Sequence, residues 1–244
     1  MGLEQILLVL IGALAAGVVN GLTGFGTAIT AMALWLYAIP PAVGASLAII
    51  CSVVSQIQNL HLIWRTISWE RMLPFLVPGI IGVPLGTHLV RVIEPPVFKL
   101  GIGIFLVVYS IYVLVRKGKI MSAWGGKAAD CAVGFSGGVL GGLAGLSGVL
   151  PVVWTDVRGW SKSERRSVVQ TFNLAILSLS LASHAFSGLL TGAVVTASVI
   201  ALPATIGGAW LGALMYRRLA EGGYQHAVML LLFVSGAGLV WASW

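Results

Sequence analysis

Apolar segments follow one another almost without pause, at about 3–19, 25–39, 42–64, 72–90 and 97–115. A second set runs at about 131–143, 146–157, 164–190, 193–215 and 223–244. No other feature limits the fold as strongly. A soluble domain carries about 25% charged residues. Here charged residues make up 9% and hydrophobic ones 58%, with a mean hydropathy of +1.00. The chain is therefore expected to be an all-α, polytopic membrane protein whose medium is the lipid bilayer. Helices follow because backbone polar groups in hydrocarbon must be satisfied within the chain. The start "MGLEQILLVL" has Glu4 where a secretory leader has positive charge, and reads as a retained first segment. Position 6 is Ile, which speaks against myristoylation. Cys51 and Cys131 form no CxxC pattern, so no metal and no cofactor is expected.

A helix needs about 20 residues to cross the hydrocarbon. Segments 25–39, 131–143 and 146–157 are short for that, and each adjoins a glycine-rich break. The charges show how these stretches run. If 3–39 and 131–157 each crossed as one helix, the 14 Lys and Arg would divide 6 to 8 between the two sides. If each turns back instead, Arg65, Arg71, Arg116, Lys117, Lys119, Lys127, Arg158, Lys162, Arg165, Arg166, Arg217 and Arg218 share one side. Only Arg91 and Lys99 then lie opposite, as the positive-inside rule expects. Basic loops are thus cytoplasmic and both termini outside. The net charge of +7 is explained by those loops and implies no nucleic acid.

The same parity predicts two inverted-topology repeats. Residues 1–117 form the first, 118–130 a cytoplasmic linker and 131–244 the second, each a broken or re-entrant helix pair followed by three membrane helices. At an offset of 121, Val18, Gly21, Leu22, Gly24 and Ser46 fall on Val139, Gly142, Leu143, Gly145 and Ser167. At 126, Leu85, Gly86 and Arg91 fall on Leu211, Gly212 and Arg217, and at 125 Pro78 and Gly82 fall on Pro203 and Gly207. Transporters built from inverted repeats place their substrate where interrupted helices of both halves meet.

The breaks are "NGLTGFGTA" (Asn20–Ala28) and "GGLAGLSGV" (Gly141–Val149). Each returning half-helix should begin with free N–H groups, near Gly26, Thr27 and Ala28 and near Ser147, Gly148 and Val149. Such helix starts attract anions. Thr23, Thr27 and Ser147 would add hydroxyl donors. The alternative is that the small residues merely let helices approach closely. Polar stripes follow both breaks: Ser52, Gln56 and Asn59, then Gln170, Asn173, Ser180, His184 and Ser187, with Thr171 beside the second. Polar side chains are costly in lipid, so these faces should look inward. All seven carboxylates sit at segment ends or in loops, which suits an anion better than a cation. His184 is the candidate for proton coupling, whereas His61 and His88 read as interfacial or packing residues. "PGIIGVPLG" (Pro78–Gly86) and "PATIGGAWLG" (Pro203–Gly212) read as close packing between repeats or between copies of a homodimer. Trp35, Tyr37, Trp64, Trp69, Trp241 and Trp244 read as interfacial anchors.

With "GLTGFGTA", "GGLAGLSGVLPV" and "SVVQTFNL" (Ser167–Leu174), the chain resembles the TauE/SafE family, the sulfite exporter or toluenesulfonate-uptake-permease family, over essentially its whole length. The resemblance implies a secondary transporter of small organosulfur anions, such as sulfite or sulfonates, in a bacterial cytoplasmic membrane. It also implies a central site of Thr23, Gly24, Gly26, Ser147, Gly148, Gln170 and Asn173. Family members often carry a further glycine after each break, where this chain has Thr27 and Val149. Two other readings compete: a transporter or channel for another small anion such as a carboxylate, and an intramembrane protease of rhomboid type. In the latter, "GLSG" (Gly145–Gly148) would supply Ser147 as nucleophile and His184 as base.

Overall fold

The computed structural model describes residues 2–59, 68–115, 125–216 and 223–242. Among these, ten helices and no strand occur: α1 (Leu3–Thr23), α2 (Thr27–Ala38), α3 (Pro41–Asn59), α4 (Trp69–Val92), α5 (Pro95–Val115), α6 (Gly126–Ala144), α7 (Val149–Val157), α8 (Lys162–Phe186), α9 (Gly192–Tyr216) and α10 (Gly223–Ala242). Six of them are long and apolar enough to cross a membrane. Helix α1 continues four residues past the expected 19, so the first break narrows to Gly24–Gly26. Helix α6 starts at Gly126, inside the stretch expected to be linker. His61, Trp64, Arg65, Arg116, Lys117, Lys119, Arg217, Arg218, Trp244 and the side chains of Asn59 and Lys162 lie outside the described residues.

Both short helices double back. The Trp35 indole on α2 donates to Val9 O on α1 at 3.0 Å, while Gly26 lies against Val19. On α7, Trp154 and Arg158 reach Asp130 near the start of α6. The closest packing of the long helices is across the two halves of the chain. Helices α1 and α9 run parallel: a methyl on Gly17 would stand 2.3 Å from Thr205 O, and one on Gly21 2.2 Å from Ala209 O. Helices α4 and α6 run parallel in the same manner: a methyl on Gly82 would stand 2.4 Å from Phe135 O and one on Gly138 2.0 Å from Gly79 O. Helices α3 and α8, and α5 and α10, pair antiparallel. Apolar residues gain nothing by leaving lipid for a neighbouring helix, so such backbone approach is what holds these pairs. The small-residue runs on α4 and α9 therefore pack the halves of one chain together. A methyl on Gly208 would stand 2.4 Å from Leu14 O, whereas one on Gly207 would meet nothing within 4 Å.

Polarity runs inward. Ile81, Val108, Val199 and Trp210 are exposed, as lipid-facing side chains are, while Asn20, Ser52, Gln56, Gln170 and Asn173 are buried. Tyr37, Trp69 and Trp241 are exposed, as expected of anchors. Trp35 is not: it is fully buried, because its N–H is taken by the α1 backbone.

Candidate functional site

Helix α1 ends on Gly24 at φ 78°, whose N–H donates to Asn20 O at 2.7 Å, and Gly26 at φ 93° starts α2. A side chain at either φ would be strained by roughly 1–2 kcal/mol, so glycine is required for so short a reversal. Helix α6 ends alike on Gly145 at φ 71°. Neither α2 nor α7 has a side-chain cap, whereas α8 is closed by a box of Ser161 and Glu164. The first N–H groups of a helix have no acceptor within it. In α2 the first to bond back is that of Thr30, to Gly26 O at 3.1 Å. In α7 the N–H of Val149, its first residue, already donates to Leu146 O at 3.4 Å, that of Val152 donates to Gly148 O at 2.9 Å, and Pro151 between them has no N–H to offer. The α2 start is therefore the more open of the two and presents more donors.

The two breaks meet: a methyl on Gly145 would stand 3.2 Å from Ala28 Cβ. Between them is a cavity of about 20 Å3, lined by Phe25, Gly26, Thr27, Ala28, Ile29, Ser52, Gln56, Gly145, Leu146, Gly148, Val149, Asn173 and Leu177. That space suits one water molecule. No lining residue carries a carboxylate.

Of the residues expected from sequence, Gly26, Thr27, Ser52, Gln56, Gly148 and Asn173 line this cavity. Asn20 stands behind Thr27, its Nδ2 donating to Thr27 Oγ1 at 2.8 Å. Gly24 offers its carbonyl to both Gln56 Nε2 and Gln170 Nε2, each at 3.3 Å. Ser147 donates to Asn173 Oδ1 at 2.7 Å, and Gly148 must be glycine because a methyl there would lie 2.4 Å from Asn173 Nδ2. The Thr23 hydroxyl bonds to Phe25 O and Val19 O, closing the end of its own helix. The Thr23 and Ser147 hydroxyls expected as ligand donors are thus taken by the protein. Ser52 Oγ, 3% exposed, has no hydrogen-bond partner. Thr171 bonds to Ser167 O and lies off the cavity.

His184 is likewise apart from it. Its Nε2 meets Gly142 O at 2.7 Å and its Nδ1 meets Ser46 Oγ at 2.9 Å. With both ring nitrogens so held and Ser147 turned to Asn173, the two do not form a Ser–His dyad. His88 is exposed on α4.

The sequence reading missed Phe25, Ile29, Leu146 and Leu177 as lining residues, since apolar side chains carry no mark in an apolar helix; Val149 was named only for its backbone N–H. The offset of 121 gives the missing signal, because Leu177 is the counterpart of Gln56 and Ile49 that of Gln170. Ile49, Val53 and Leu177 form a buried apolar cluster beside Gly145. Also missed was how far the segment Arg158–Arg166 enters the fold. Arg158 pairs with Asp130 at 2.7 Å, Arg165 with Asp156 at 2.6 Å, and Arg71 with Glu164. The guanidinium groups of Arg71 and Arg158 each lie 5.4 Å from the Trp160 ring centroid. These contacts fasten the end of α7 and the start of α8 to α4 and α6.

An all-helical membrane protein with two interrupted helix pairs meeting at a buried polar cavity has the build of a membrane transporter. The chain matches the model of the sulfite exporter TauE/SafE family over residues 8–239, nearly its whole length, and belongs to that family. No curated protein and no solved structure matches it.

Proposed function

We propose that the chain is a secondary transporter, an exporter of small organosulfur anions such as sulfite or sulfonates, working by alternating access. The observation that carries this reading is the meeting of two uncapped helix starts, α2 and α7, on one cavity. Thr27, Ser52, Gln56 and Asn173 supply neutral polar groups there, and carboxylates are missing from its wall. Helix starts and neutral donors favour an anion. The family supports transport.

At about 20 Å3 the cavity is too small for a sulfonate, so binding requires the halves to part. The inverted-repeat division, 1–117 against 131–244 with the basic loops cytoplasmic, supplies a way to do so. In its support, the α1–α9 contact has its counterpart in α6–α4 when the halves are exchanged. Rocking one half against the other then opens the cavity to each side in turn.

The test is flux into proteoliposomes of radiolabelled sulfite, methanesulfonate, toluenesulfonate, acetate and succinate. Saturable uptake and counterflow of the sulfur anions are expected. Carboxylate flux alone would support the second reading, which the same neutral donors permit. Unsaturable flux would mark a channel, and none for any of the five anions would end the proposal.

A further inference from the structure

We propose that Ser52 and Gln56, one turn apart on α3, grip an oxyanion against the start of α2, while Gln170 keeps the Gly24 turn closed. The inference rests on the anion reading above. It goes beyond that reading in separating the groups that hold the ligand from the one that holds the protein. Ser52 and Gln56 share a face of α3, and both line the cavity. Ser52 is 3% exposed, and its Oγ has no hydrogen-bond partner. Buried hydroxyls are nearly always paired, and one left unpaired is costly. On the same cavity lie Thr27, Ala28 and Ile29, whose N–H groups precede the first that bonds back within α2, that of Thr30. Such a helix start attracts an anion, and the spare hydroxyl on the same wall is a second donor for that charge. Thr27 adds a third: its Oγ1 accepts from Asn20 Nδ2 at 2.8 Å, which leaves its own proton to donate.

The two glutamines share one acceptor. The Gly24 carbonyl accepts from Gln56 Nε2 and from Gln170 Nε2, each at 3.3 Å, which is long for such a bond. Either amide can therefore leave without stripping the carbonyl of its partner. Of the two, only Gln56 lines the cavity. Gln170 stands against the turn itself, where a methyl on Gly24 would lie 2.2 Å from its Nε2. As an anion enters, Gln56 turns an amide N–H from Gly24 O to the anion, Ser52 donates beside it, and Gln170 stays on the carbonyl. The buried turn is never left without a donor. About 20 Å3 admits one oxygen-sized group. The closed cavity thus fits a single terminal oxygen of a sulfite or sulfonate head, and the remainder of the ligand enters as the halves part.

The experiment measures KM for methanesulfonate and sulfite flux into proteoliposomes, Kd for both anions by calorimetry in detergent, and the thermal midpoint. Ser52→Ala should raise KM and Kd about tenfold while the midpoint holds or rises, because the hydroxyl removed has no partner in the protein. Unchanged KM and Kd, or a rise in them accompanied by a lower midpoint, would overturn the proposal. Gln56→Met should also raise KM about tenfold. Gln170→Met should do the same, since Gln56 can then leave Gly24 O only by orphaning it. Added to Gln56→Met, however, Gln170→Met should change KM less than about twofold, because no amide is left to hand over. Additive losses would make Gln170 a second ligand and overturn the hand-over, as would no loss in either single variant. Should a glutamine variant fail to fold, Ser52→Ala decides by itself. Wild-type protein that binds these anions without moving them ends the transport reading, and the Kd of Ser52→Ala then decides this one. Flux with Ser52→Ala equal to wild type ends this inference alone, and neither binding nor flux ends both.

Discussion

The two breaks share a backbone plan and differ in chemistry. Each closes a helix on a left-handed glycine, Gly24 or Gly145, and starts a short returning helix without a side-chain cap. Around Gly24 stand Gln56 and Gln170, with Asn20 bonded to Thr27 behind it. Around Gly145 stand Ile49 and Leu177, and the counterparts of Asn20 and Thr27 are Gly141 and Gly148. Backbone geometry demands glycine at both turns, while the side chains around one turn are polar and those around the other apolar. The first break is the better candidate for holding charge. The second, with its apolar cluster, is the better seal.

The largest effect expected is at the glycines themselves. Gly24→Ala would place a methyl 2.2 Å from Gln170 Nε2 at a φ of 78°, whereas Gly145→Ala at 71° finds its nearest neighbours at 3.2–3.4 Å. Both meet the left-handed penalty of about 1–2 kcal/mol. Only the first also displaces the amide that grips the Gly24 carbonyl. Gly24→Ala should lose more than tenfold in flux and lower the thermal midpoint in detergent more than Gly145→Ala does. Equal losses would mean that the turns matter only as turns.

Next in size is an exchange of chemistry between the breaks. Gln170→Ile with Gln56→Leu gives the first break the side chains of the second and leaves the buried Gly24 carbonyl without both donors. An orphaned buried acceptor costs about 1–3 kcal/mol. Flux should fall at least tenfold. Ile49→Gln at the other break should open the seal and raise leak of small anions. If the double exchange leaves KM unchanged, the polar break is not where the anion is held.

Ser147→Ala is a smaller change. It removes one hydrogen bond, at 2.7 Å, that sets the Asn173 amide against the cavity. At about 1 kcal/mol for a hydrogen bond, flux should drop about fivefold with little loss of stability. A fluorophosphonate probe should not label Ser147, whose hydroxyl is turned to an amide and away from His184. Labelling would restore the protease reading.

Much of this was legible beforehand because the cues were backbone cues. Glycine at Gly24, Gly26 and Gly145, with the one-sided distribution of Lys and Arg, was enough to anticipate hairpins that turn back. Packing of α1 on α9 and of α4 on α6 could be read only as a tendency to pack closely. Small residues spaced by four say that a backbone approaches, but not whose. The polar half of the site was legible at Ser52, Gln56 and Asn173, since an amide in a membrane helix stands out. Leu177 and Ile49 did not stand out. Trp35 was misread because indoles are common at interfaces, and only the fold brings Val9 O within reach of this one.

The smallest effect on transport is expected at His184, which belongs to the apolar side of the comparison. It ties α8 to Ser46 on α3 and to Gly142 on α6, one turn before the second break. A carbonyl can only accept, so Nε2 carries the proton toward Gly142 O, while Nδ1 shares a hydrogen bond with the Ser46 hydroxyl, which also faces Ala42 O at 3.1 Å. The ring holds three helices together. His184→Gln removes this fit, lowering stability by about 1 kcal/mol, with flux kept within about twofold. The pH profile of flux is the discriminating measurement. An unchanged shape makes His184 a structural tie that helps keep the Gly145 break rigid while the Gly24 break binds. A profile that loses its pH dependence in His184→Gln would instead assign proton coupling to the apolar side, and the division of labour between the two breaks would have to be redrawn.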